Sequence, residues 1–222
     1  MNLDANLLSL AIWTPIVGVI AVLATGSDER AGLARKLALL FSILTFLITV
    51  PLYTEFDVSS AAMQFTEFHS WIPAFNINYA LGIDGLALLL ILLTSFITII
   101  VVISAWQVIR EKVAQYMAAF LIMEGMMIGV FSAMDAILFY VFWEAMLIPM
   151  YFIIGIWGGQ RRIYAAVKFF IFTMVGSVFM LVGILYLYFQ AGSMEILAFH
   201  DLKLGLTAQI YIFIAFLLAF AV

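Results

Sequence analysis

The chain has 222 residues, 67% of them hydrophobic and only 10% charged, with a mean hydropathy of +1.23. Soluble domains are roughly half apolar and about a quarter charged, so this balance excludes an ordinary soluble enzyme or nucleic-acid-binding module and points to an integral membrane protein. With no cysteine and a net charge of −4, disulfides, thiolate metal sites and cysteine-held iron–sulfur clusters are excluded, and the placement of charge matters more than its sum.

A membrane span needs roughly 20 apolar residues at about 1.5 Å each. Met1–Asn6 lacks the basic segment of a secretory signal, and the apolar run that follows is long enough to cross, so a retained first span is expected over residues 7–24. The second is expected over 33–53. A long polar loop, Thr54–Asn78, follows, in which Trp71 and Pro73 suggest a short interfacial piece. The third span, 85–108, opens after Asp84, whose carboxylate is placed to cap it. The fourth covers 113–131, the fifth 135–157 and the sixth 165–189. The seventh starts near Thr207 and is still apolar at Val222, which suggests the first part of a longer protein. His69 and His200 fall in predicted loops, so no haem is expected between helices. The predicted fold is an all-α polytopic transmembrane helix bundle forming a single membrane domain over 1–222.

Charge placement supports this division. Arg30, Arg35 and Lys36 lie between the first two spans, Arg110 and Lys112 between the third and fourth, and Arg161, Arg162 and Lys168 at the turn from the fifth to the sixth. The alternate loops hold only Lys203. By the positive-inside rule the basic loops face the cytoplasm or matrix, and the N-terminus is outside.

Two acids then fall deep in the membrane. Glu144 lies thirteen residues from Trp157, about 20 Å along its helix, and Glu124 eleven residues from Val113, about 17 Å. A charge at the bilayer centre costs about 3 kcal/mol on insertion scales, so such acids face the bundle interior and commonly mark ion pathways. Tyr140 at i−4 and Tyr151 at i+7 are predicted on the face of Glu144. Pro149 has no N–H, which frees the Ala145 carbonyl and predicts a kink beside the acid. Low-dielectric surroundings favour a protonated carboxyl and a nearby cation favours the carboxylate, so an acid held between the two can relay protons. The competing reading is a protonated residue that only holds helices together by a hydrogen bond. It weighs more for Glu124, an auxiliary acid without such a stripe. Lys168 reads as a snorkelling anchor or an inner-side charge. Gly176, Ser177 and Gly183 read as close-packing positions, and Met123, Met126 and Met127 as packing filler. No metal or cofactor site is expected on this chain.

The segment Phe142-Trp143-Glu144-Ala145-Met146-Leu147-Ile148-Pro149-Met150-Tyr151 closely resembles the fifth helix of the antiporter-like subunits of respiratory complex I, above all the chain M (mitochondrial subunit 4) family. Leu81-Gly82-Ile83-Asp84-Gly85-Leu86 resembles that family's entry to the third helix, and Glu124-Gly125-Met126-Met127-Ile128-Gly129-Val130-Phe131 its fourth. Gly159-Gln160-Arg161-Arg162 with Ala165-Ala166-Val167-Lys168-Phe169-Phe170 resembles its turn into the sixth. The Gly-Ile-Asp-Gly motif is shared more widely, including with multisubunit cation/proton antiporters. The resemblance implies a fold of about fourteen helices in two inverted repeats, with Glu144 paired to a lysine on a broken seventh helix near where this chain stops. It implies proton translocation coupled to NADH:quinone electron transfer in a bacterial cytoplasmic or mitochondrial inner membrane. Flavin, iron–sulfur clusters and quinone would be carried by partner subunits, with lipids, protons and other membrane-arm subunits as this chain's own partners. The alternatives are a subunit of a Na+ or K+/H+ antiporter or membrane-bound hydrogenase and, in another class, a seven-helix receptor or a passive scaffold.

Overall fold

The computed structural model describes residues 6–26 and 28–221. Residues 1–5, on which the reading of the N-terminus rests, and Val222, the last apolar position, lie outside the described residues. Long apolar runs become helices because the helix alone satisfies its backbone hydrogen bonds within one segment. Among the described residues, five helical stretches are long and apolar enough to cross a membrane, and two shorter apolar helices stand at the first and seventh positions.

The chain packs as two compact units. The first comprises residues 1–67 and 81–132. Its helices are α1 (Leu7–Leu23), α2 (Ala31–Thr54), α3 (Gly85–Val108) and α4 (Val113–Ser132). α1 packs on α2 and α4, and α3 closes the bundle against α2 and α4. Val22, Ala38, Met117 and Leu121 are at its core. Small residues bring the backbones close: a Cβ on Gly125 would sit 2.6 Å from the Ile12 carbonyl oxygen. A seam of buried hydroxyls lies along α2 (Ser42, Thr45, Thr49) and α3 (Thr94, Ser95, Thr98). Each hydroxyl donates to a carbonyl one turn back, and Thr49 and Ser95 meet at 3.1 Å.

Carboxylates fasten the helix starts, where the backbone N–H groups lack helical acceptors. Asp84 Oδ1 accepts from the Ala87 N–H at 2.7 Å, as its position predicts. Asp28 accepts the N–H groups of Lys112 and Val113 at 2.9 Å, joining two basic loops at the start of α4. Buried Glu67 accepts from the Leu8 N–H at 2.8 Å, and also from the Ser9 N–H and hydroxyl.

The stretch expected as a polar loop with an interfacial piece is instead a β-hairpin, β1 (Gln64–Ile72) and β2 (Ile77–Ile83). Its turn closes through a short 3₁₀ segment and Asn76 at φ 52°, a conformation asparagine tolerates better than most residues. Among the described residues the otherwise helical fold therefore contains one two-stranded sheet. His69 lies on β1, its ring 6.3 Å from that of Tyr79, and His200 in the last turn of a short helix, so neither is in a loop.

The second unit comprises residues 68–80 and 133–222. Its helices are α5 (Ala136–Ala145), α6 (Leu147–Trp157), α7 (Arg162–Ala191), α8 (Ile196–His200) and α9 (Leu206–Ala221). α7 is the spine, with α5, α6, α8 and α9 packed along it. Met180, Ile184, Met194 and Ala219 fill the core, and Gly183 admits the Phe216 ring, as a close-packing position should. α7 runs three residues earlier and two later than the expected 165–189, ending where Gly192 turns left-handed at φ 70°.

Candidate proton site

Asp135 sets the start of the fifth span. Its Oδ1 accepts the N–H groups of Ile137 and Leu138 at 2.9 and 3.1 Å, and its Oδ2 accepts the Asn78 N–H from the hairpin at 2.9 Å. Burial raises the Asp135 carboxyl above its ordinary value of 3.8, opposed by these three amides. From this fixed point α5 runs to Ala145, and the helix is interrupted at Met146 before α6 begins. The break falls where Pro149 withholds an N–H from the Ala145 carbonyl. The next amide, Met150, reaches back to the Met146 oxygen at a long 3.4 Å.

Glu144 is thus the penultimate residue of α5, at the interruption. It is partly buried, and its Oε1 is enclosed with no hydrogen-bond partner among the described residues. Tyr140 lies close enough to Glu144 and to Ser177 for its hydroxyl to interact with both side chains. Ser177, fully buried on α7, also donates to the Met174 carbonyl at 2.9 Å. The structure therefore brings together Glu144, Tyr140 and Ser177. Sequence reasoning took Ser177 only as a packing position, since nothing local indicates that α7 lies against Tyr140.

Tyr151 is not part of this group. Its ring meets Phe170 edge-on at 5.7 Å, and no hydrogen bond to Glu144 occurs among the described residues. Trp143 stacks on Phe139 at 5.9 Å and meets Phe220 edge-on at 5.0 Å, so it walls α5 against α9. Pro149 is buried. Lys168 is exposed on α7, its Nζ 5.6 Å from the Phe172 ring centroid.

Glu124 belongs to the first unit. It is 1% exposed, and neither carboxyl oxygen has a hydrogen-bond partner among the described residues. It lies within the continuous helix α4, beside Gly125 and its close approach to α1.

These features define an integral membrane protein built of packed helices, with one acid at a helix interruption and a second acid sealed in a bundle. Residues 133–222 match the family of the transmembrane domain of NADH:quinone oxidoreductase and Mrp antiporters. Over 99% of its length the chain is 38% identical to NADH-quinone oxidoreductase subunit M of Rickettsia prowazekii, covering 46% of that protein. It is 46% identical over 86% of its length to subunit M of Rhodobacter capsulatus, covering 37%. It superposes with a TM-score of 0.82 on a chain of respiratory complex I from Thermus thermophilus, at 29% identity and covering 96% of this chain and 43% of that one. The chain thus spans about half the length, or less, of the relatives it matches, and the chain M resemblance carried by its motifs holds.

Proposed function

We propose that this chain is a proton-translocating subunit of the membrane arm of respiratory complex I, contributing to NADH:quinone oxidoreductase activity. The observation that carries the reading is Glu144, a partly buried acid at a helix interruption, with one oxygen unpartnered among the described residues and Tyr140 and Ser177 alongside. The carboxyl takes up a proton on one side of the cycle and releases it on the other. The Tyr140 hydroxyl donates to the charged form, and the freed Ala145 carbonyl gives water a reason to enter at the break. Glu124 serves as an auxiliary acid, Pro149 keeps the interruption, and Lys168 supplies an inner-side charge. Other membrane-arm subunits are the partners, and flavin, iron–sulfur and quinone chemistry resides on subunits outside the membrane arm's antiporter-like chains. The N-terminus faces outward in a bacterial cytoplasmic membrane or mitochondrial inner membrane, as the basic loops suggest.

In inverted membrane vesicles carrying the assembled complex, Glu144→Gln is expected to abolish acidification driven by NADH oxidation while leaving the amount of complex on a native gel unchanged. Normal acidification in that variant would overturn the relay assignment. The family description also covers Mrp antiporters, and an Mrp complex from Dietzia superposes with a TM-score of 0.80 at 15% identity, a likeness of fold. A cation/proton antiporter subunit would instead give a pH change on adding Na+ or K+ without NADH.

A further inference from the structure

The turn from α6 to α7 carries three cations, Arg161, Arg162 and Lys168, and the chain holds no acid between Glu144 and Glu195 to balance them. Arg162 is committed to the fold, since its Nη1 donates to the Ile156 carbonyl at 2.7 Å and so closes the end of α6. Gly158 is equally structural, because a Cβ there would sit 2.3 Å from the Ile154 oxygen. Arg161 and Lys168 remain. They line one groove of about 650 Å³ between α6 and α7, whose wall includes Tyr164, Phe169 and Phe172. Its mouth is open at Gly159, where an added Cβ would meet nothing within 4 Å.

The arrangement is graded with depth. Arg161 lies just before the start of α7, and Lys168 is six residues past Arg162, about 9 Å further along the helix. Beyond the cations the wall is aromatic, and the Lys168 ammonium already lies over the Phe172 ring. A soluble anion would use only the mouth of such a groove. A phospholipid uses all of it, with phosphate between Arg161 and Lys168 and an acyl chain along Phe169 and Phe172. Basic clefts between helices at a membrane surface favour anionic headgroups for this reason. We infer that the α6–α7 groove is a binding site for an anionic phospholipid, held by Arg161 and Lys168. This inference is independent of the proton relay.

The test is photo-crosslinking in the protein purified from its membranes in nonionic detergent with its assembled partners. The probes are phosphatidylglycerol and phosphatidylcholine bearing the same photoreactive acyl chain. Phosphatidylglycerol is expected to label peptides spanning residues 164–172 at least about fivefold more than phosphatidylcholine, the scale of one surface cation. Arg161→Gln with Lys168→Gln should remove that preference. Two controls should keep it: the charge-preserving Arg161→Lys with Lys168→Arg, and Arg30→Gln with Lys36→Gln in another basic loop. Unchanged labelling at other peptides reports that each variant is folded. Equal labelling by the two lipids would overturn the proposal, as would a preference that survives removal of both cations. Loss of labelling when inorganic phosphate is added at the lipid's concentration would also overturn it, marking a free-anion site instead.

Discussion

Glu124 and Glu144 occupy similar depths along their helices, yet their surroundings differ in kind. Glu124 sits in an unbroken helix, 1% exposed, with no donor to either oxygen among the described residues. Glu144 sits one residue before the end of α5, partly exposed, with a tyrosine hydroxyl at hand. The difference lies in the backbone. Pro149 interrupts the helix beside Glu144, whereas the Gly125 next to Glu124 draws α1 and α4 together until nothing else fits. Depth alone makes an acid costly, and access makes it useful. An oxygen pair with neither donor nor exposure has no route for exchanging a proton without movement of the bundle.

The sharpest way to break this comparison is to neutralise each acid in turn. Glu144→Gln is expected to lower NADH-driven acidification on the order of a hundredfold, the scale of losing a proton-transfer group. Glu124→Gln is expected to change it by about threefold or less, under one hydrogen bond's worth. Equal losses in the two variants would place both acids on one path and dissolve the distinction. Tyr140→Phe tests the contact that distinguishes Glu144. It should slow acidification about fivefold, near the net value of one hydrogen bond, with assembly unchanged. An unaffected rate would make the hydroxyl a bystander.

The packing side of the comparison is tested with two glycines. Gly125→Ala pushes a methyl to within 2.6 Å of the Ile12 carbonyl oxygen, which is backbone and cannot turn away. A destabilisation of about 1–3 kcal/mol, read as a lowered melting temperature in detergent, is expected. Gly183→Ala in the second unit meets the Phe216 ring at 3.1 Å. A ring can tilt, so the cost should be about 1 kcal/mol or less. A larger cost at Gly183 would mean that the second unit is the more tightly packed of the two.

The helices were legible in the sequence because the apolar runs are long and are bounded by capping residues or charges, as at Asp84 and Gly192. The interruption in the fifth span was legible because one residue, Pro149, causes it. The hairpin was not. Its first strand is largely exposed, its turn uses Asn76 rather than an Asn-Gly pair, and its anchors arrive from elsewhere in the chain. Glu67 reaches Leu8 across 59 positions, and Asn78 reaches Asp135 across 57. The candidate site was half legible for the same reason. Tyr140 shares a helix with Glu144 and could be counted to, while Ser177 is brought there by the packing of α7.

The smallest effects concern two carboxylates outside the apolar helices, Asp135 and Asp57, which should show opposite pH slopes. Asp135 is raised above 3.8 chiefly by burial, so the folded chain binds this proton more tightly than the unfolded one. Its contribution to stability is therefore greatest at low pH and falls as pH rises from 3.8 through the raised value. Asp57 is exposed and lowered below 3.8 by the Ser59 hydroxyl, at 2.6 Å, and the Ser59 N–H, at 2.9 Å. Its contribution is present above 3.8 and is lost as pH falls through the lowered value. Asp135→Asn should flatten only the upper slope in melting curves taken across pH. It should also speed hydrogen exchange at the Asn78 amide by about fivefold or more, because one of the acceptor oxygens becomes a donor. Asp57→Asn should flatten only the lower slope and leave Asn78 protected. If Asp135→Asn leaves both the upper slope and the Asn78 protection intact, the hairpin is held by its strand pairing alone, and Asp135 only caps α5.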